Sequence, residues 1–295
     1  MNFKKKGLFA LAIIIGLTQF SCNKKFNQLQ KKGTLEEKYA AAIKYYEDAD
    51  YYKAGLIFEE ITPLLKGDST AEKAQFYNAY CNYYQGMYQM SSYAFKNFYA
   101  TYNNSPFAEE AFYMYAYSMF KDSPPSNLDQ TNTLTAIDAL QTFINTYPDS
   151  KYAEKCNKDL NDLRNRLEKK AYEKAKLYYK TRQPSYGGLA NYKATVVSVG
   201  NFLKDFPDSK YREELQYIQV IAQQELADVS LFTKQKERYN EAITLYEKFI
   251  DKYPKSKYLK DLEKVHARAM KGLEEVDKTE KAIEQAKIAA EKEKS

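Results

Sequence analysis

The chain has 295 residues, 28% of them charged, with 29 tyrosines, ten glycines and no tryptophan. Scarce glycine and the absence of alternating β-branched runs exclude a β-sandwich or barrel and predict an all-α protein. The formal charge is +6, but Lys4, Lys5 and Lys6 supply three of those positive charges from a segment expected to be removed. The remainder is interspersed with glutamate, which leaves no basic face for nucleic acid.

Residues 1–21 read as a secretory signal peptide. The three lysines form a basic start, and Leu8 to Leu17 form an apolar stretch too short to span a bilayer. The segment ends Thr18-Gln19-Phe20-Ser21-Cys22. A small residue before a cysteine at this point resembles the bacterial lipoprotein signal and marks Cys22 as the acylated first residue, although Gln19 departs from the usual aliphatic position. Two or more acyl chains suffice for stable anchoring. Residues 22–33 are then a lipidated tether. No acidic run or second-position aspartate follows Cys22, so the expected location is the periplasmic face of the outer membrane.

A short phrase recurs four times, at Tyr102–Phe107, Tyr147–Tyr152, Phe206–Tyr211 and Tyr253–Tyr258. Three copies carry proline at the second position, which has no N–H and pushes its predecessor out of the α region. The serine two positions on is expected to cap the next helix. Five residues before the proline position stand Phe98, Phe143, Phe202 and Phe249; twelve before stand Ser91, Ala136, Thr195 and Ala242. A small residue, a large one and a proline at fixed phase resemble the second helix of a tetratricopeptide repeat. Ala54, Phe58 and Ile61 keep the order in a fifth unit. The expected fold is a right-handed α-solenoid of about five helix pairs with a C-terminal capping helix.

In chain order, repeat one pairs 35–49 with 52–65, repeat two 71–85 with 90–101, and repeat three 106–120 with 134–146. Repeat four opens with one unbroken helix from Tyr152 to about Lys180, some 45 Å long at 1.5 Å per residue, and returns over 192–204. Repeat five pairs 211–233 with 239–252, and 257–277 caps the array. The domains are thus 34–147 for repeats one to three and 148–277 for the rest, with a charged tail at 278–295 expected to fray. Cys81 and Cys156 lie in different repeats and are expected to be buried, unpaired thiols.

No catalytic constellation, metal-ligand spacing or phosphate loop is present, and His266 is the only histidine. The expectation is a non-enzyme with no cofactor and no metal. In a tetratricopeptide array the first helix of each pair lines the concave face through three positions. Here these hold Tyr39, Ile43 and Tyr46; Phe76, Tyr80 and Tyr83; and Tyr113, Tyr117 and Phe120. Rings with a polar tip suit a peptide groove, although a stripe at helical spacing also marks a buried face. The corresponding positions of repeats four and five are more mixed: Tyr172, Lys176 and Tyr179, then Tyr217, Ile221 and Gln224.

The stretch from Leu140 to Leu215 is more specific. It holds Leu160-Asn-Asp-Leu163-Arg164-Asn-Arg166-Leu167, then Tyr178-Tyr179-x-x-Arg182 and Tyr186, flanked by two of the Pro-Asp-Ser phrases. This resembles the BamD family, lipoprotein subunits of the outer-membrane β-barrel assembly (BAM) machinery. The longer connection around Pro184 and Gly187-Gly188, and Asn103 in place of a proline, depart from the pattern. The resemblance implies a scaffold that binds the barrel subunit BamA through its C-terminal repeats, with Tyr178, Tyr179, Arg182 and Tyr186 as first candidates. It also implies that the N-terminal groove receives the C-terminal segments of unfolded outer-membrane proteins. A periplasmic tetratricopeptide coordinator of envelope or division machinery, a glycan-binding outer-membrane lipoprotein and a hydrolase are the alternatives.

Overall fold

The computed structural model describes residues 24–65, 67–182 and 188–292. Every regular element among them is helical, and the helices pack in successive neighbour pairs, the arrangement of a tetratricopeptide-like solenoid. Two compact units are present, residues 1–164 and 165–295.

The first unit contains α1 (24–32), α2 (Leu35–Glu47), α3 (Tyr51–Ile61), α4 (Thr70–Tyr84), α5 (Tyr88–Thr101), α6 (Ala108–Asp122), α7 (Thr131–Thr146) and the start of α8 (Ala153–Lys180). The second contains the remainder of α8, α9 (Gly188–Asp205), α10 (Arg212–Asp228), α11 (Phe232–Lys252) and α12 (Leu259–Lys292). The division falls inside the long helix expected for repeat four.

Local chemistry accounts for the helix ends. Thr34 and Glu37 form a reciprocal capping box at the start of α2, and Asp50 accepts from the Lys53 amide at the start of α3. Gly86 leaves α4 with φ of 76°, a backbone conformation glycine adopts without steric cost. At the four phrases the first residue closes back onto the phenylalanine carbonyl four residues earlier, at 2.8–2.9 Å. The serines do not cap their helices as expected. Ser105, Ser150, Ser209 and Ser256 accept from the amide two residues on, at 3.0–3.1 Å, and each helix begins one residue later still. They close the turn ahead of the helix. Ser105 and Ser150 also donate to Glu72 and Glu109 in the first turns of α4 and α6, tying consecutive repeats together.

The phased residues form the core. Phe58, Phe98, Phe143, Phe202 and Phe249 are fully buried, with Ser91, Ala136, Thr195 and Ala242 at the small positions beside them. Each buried phenylalanine contributes about 1.5–3 kcal/mol by removal from water. Cys81 and Cys156 are buried free thiols.

Three segments differ from expectation. Within the tether, residues 24–32 form a helix for which no element was expected, and Phe26 inserts among the first pair, edge-on to Tyr45 at 5.7 Å. The turn of repeat five falls at Val229–Leu231, not after Thr233; the buried Ser230 hydroxyl bonds the Leu226 carbonyl and receives Arg238. Finally, α12 runs as helix to Lys292, beyond the end expected at about Asp277. Its Glu/Lys/Ala composition has high helix propensity, Glu274 pairs with Lys278 at 2.6 Å, and Lys236 bridges Asp277 and Glu280, each at 2.7 Å.

Candidate functional site

The nine residues expected to line a groove separate by position. Phe76 and Tyr113, at the first position, are buried and belong to the core rather than to an open surface. The reason is a ring contact repeated along the chain. The last aromatic of each phrase stacks on the first-position aromatic of the preceding pair. Phe107 lies on Phe76 at 4.8 Å, Tyr152 on Tyr113 at 4.0 Å, Tyr211 on Tyr172 at 4.0 Å and Tyr258 on Tyr217 at 4.2 Å. These rings are inter-repeat junctions. Tyr39 is half-buried against the core of the first pair, together with Ile43.

The other two positions remain partly open. Tyr46, Tyr80, Tyr83, Tyr117 and Phe120 are all half-buried, and a ladder of rings joins them. Tyr46 meets Tyr84 at 6.4 Å, Tyr84 meets Tyr80 at 5.7 Å and Tyr83 at 5.5 Å, and Tyr83 meets Tyr117 at 6.0 Å. Tyr117 then meets Phe120 at 5.8 Å. Tyr84 is the hub of this ladder and half exposed, yet the three-position pattern omits it. Its only sequence signal is that it follows Tyr83 directly.

The ladder carries neutral hydroxyls. Burial, which disfavours phenolate, pushes the Tyr46, Tyr80 and Tyr83 phenols well above the ordinary tyrosine value. Tyr80 donates its hydroxyl to Glu110. At the α8 end, the Lys155 ammonium lies 4.2 Å from the Tyr117 ring centroid and pairs with buried Asp159 at 3.2 Å. The surface is therefore apolar rings with polar tips, bordered by the Lys155 ammonium and the Glu110 and Asp159 carboxylates. It can take apolar side chains and exchange hydrogen bonds with an extended backbone.

In the second unit, Arg182 is held firmly. Its guanidinium stacks on Tyr179 at 3.5 Å, and its Nε and Nη2 form a fork with the Glu225 carboxylate at 2.5 and 3.3 Å. It also donates to the Tyr179 carbonyl at 2.6 Å. Such planar bidentate pairing fixes a side chain in one geometry. Tyr178 is half-buried beside exposed Leu177. Lys176 and Tyr172 both bond Glu214, at 3.0 and 2.7 Å, so the mixed face of repeat four is tied to α10. Tyr186 and Cys22 lie outside the described residues.

His266 stacks on Tyr246 at 4.3 Å. Burial raises both thiols to about 12, so neither is a nucleophile at neutral pH. Among the described residues, no group of three or more His, Cys, Asp or Glu is placed to hold a metal ion, and no helix is long and apolar enough to cross a membrane.

The chain matches the family described as YfiO, outer membrane lipoprotein, over residues 31–187 and 185–279. The matches reach from α1 through most of α12, and the chain belongs to this family of BamD-like outer-membrane lipoproteins. No curated protein matches it significantly.

Proposed function

We propose that this lipoprotein is a non-enzymatic scaffold of outer-membrane protein assembly, anchored through acylated Cys22 on the periplasmic face. The second unit holds a BamA-type barrel protein through the surface around Tyr178, Tyr179, Arg182 and Tyr186. The first unit receives C-terminal segments of unfolded outer-membrane proteins along the ring ladder.

The observation that carries this reading is the continuity of the ladder from Tyr46 to Phe120. An extended segment presents alternate side chains and a free backbone edge, and a row of half-open tyrosines offers slots for the first and hydroxyls for the second. Phe76 and Tyr113 act behind it, as junctions that hold successive first helices in register. On the other unit, the Glu225–Arg182–Tyr179 stack fixes the Arg182 guanidinium just beyond the end of α8, and a folded partner docks against this pre-ordered group.

Exchange of Tyr80 and Tyr117 for serine tests the division of labour. Binding of a synthetic C-terminal outer-membrane-protein segment is expected to fall about tenfold or more, while co-purification of the barrel subunit is unchanged. Equal loss of both partners contradicts it.

A further inference from the structure

Beside the ladder, where Tyr88 meets Tyr83 at 5.5 Å, α5, α6 and α7 form an open surface cleft of about 410 Å³ to which the proposed assembly role assigns no ligand. Its volume lies in the range of small-molecule sites, about 300–1,000 Å³. Tyr88, Tyr93 and Tyr115 supply aromatic walls, and Tyr93 is 70% exposed, a large ring left in water at the mouth. Three helices bring one polar group each to a single point. Asp122 ends α6, and its Oδ2 accepts from Gln89 of α5 at 3.1 Å and from Asn132 of α7 at 2.8 Å. Both bonds use the same oxygen. Among the described residues no donor occupies Oδ1, and each amide keeps its own carbonyl oxygen as an acceptor.

The charges select the ligand. Asp122 disfavours an anion such as phosphate. The Lys96 ammonium, 5.6 Å from the Tyr115 ring centroid, and the Lys121 ammonium, 5.8 Å from that of Tyr88, disfavour a cation. What remains is a neutral molecule with a flat apolar face and several hydroxyls. A pyranose ring fits this description. Its axial C–H face stacks on tyrosine, and its neighbouring hydroxyls, each both donor and acceptor, match a planar carboxylate flanked by two planar amides.

We infer that this cleft, built on Asp122, Gln89 and Asn132 with Tyr88, Tyr93 and Tyr115 as walls, binds a neutral sugar unit of a glycan. The ligand contacts groups on three helices, so binding also braces α5 against α6 and α7.

The test is isothermal titration of the full lipidated protein, in a detergent without a sugar headgroup, with maltotriose and with chitotriose. Asn132→Ala and Tyr93→Ala alter exposed side chains, and thermal unfolding checks that their fold is retained. The expected result is saturable heat with at least one trisaccharide, weakened about tenfold or more in both variants at unchanged melting temperature. No heat from either sugar at millimolar concentration, undiminished binding in the variants, or equal heat from trialanine overturns the inference.

Discussion

If the stacked aromatic pairs between consecutive repeats act as structural junctions, Tyr113 and Tyr152 are energetically coupled. Their rings lie 4.0 Å apart at an interplanar angle of 3°, and Tyr113 is buried. Leucine at either position keeps an apolar side chain in place while removing the stack. Stacked aromatic pairs contribute about 0.5–1.5 kcal/mol beyond the burial of their area. The single change at Tyr113 is expected to cost more than that at Tyr152, because Tyr113 also meets Tyr117 at 5.5 Å and Phe143 at 5.9 Å. The double variant should therefore be more stable than the sum of the singles predicts, by about 0.5–1.5 kcal/mol. Urea unfolding followed by far-UV circular dichroism reads this directly, since 1 kcal/mol moves the midpoint by roughly 0.3–1 M at ordinary denaturant slopes. Independent sites add to within about 0.3–0.5 kcal/mol. A coupling inside that band refutes the junction.

Two further outcomes follow from the second unit. A Cβ at Gly272 would lie 2.4 Å from Cζ of Tyr239, a buried ring whose hydroxyl is bonded to Asp228 at 2.8 Å. Gly272→Ala gains about 1 kcal/mol of helix propensity, yet overpacking costs about 1–3 kcal/mol, so thermal unfolding should show no stabilisation and a lower melting temperature. A higher melting temperature would mean that the ring has room to move. Glu214 gives a pH dependence. Burial raises its pKa, but hydrogen bonds from Tyr172 and Lys176 outweigh burial and hold it below the ordinary value of 4.5. The folded state thus binds this proton less tightly than the unfolded state does. The stabilisation is present above the ordinary value and is lost as pH falls through the folded one. Glu214→Gln should flatten the acid limb of unfolding below about pH 4.5, and an unchanged limb would show that the carboxylate is not held.

The core was legible because solenoid packing repeats at fixed phase. Phe98, Phe143, Phe202 and Phe249 stand at the same distance before their stop signals, and every one is buried. The long α8 was legible because no breaker interrupts Tyr152 to Lys180. The features that escaped depend on pairings distant in the chain. Tyr113 sits at a groove position by spacing, and its stack on Tyr152 with its contact to Phe143 makes it core. Phe26 has only Leu29 as an apolar companion in a polar stretch, too few for a periodicity to announce its insertion beside Tyr45. The turn at Val229–Leu231 contains neither glycine nor proline, and side-chain bonds through Ser230 set it instead. Tyr84 escaped for a related reason: its role as hub depends on rings from α2 and α4 together.

The most direct test of the scaffold account is a pull-down from detergent-solubilised membranes with the lipidated protein, beside a Tyr178→Ala, Arg182→Ala variant. The account predicts that a BamA-type barrel protein co-purifies with the wild type and is lost from the variant. Recovery of a division, energy-transduction or sugar-uptake partner with no barrel protein would contradict it.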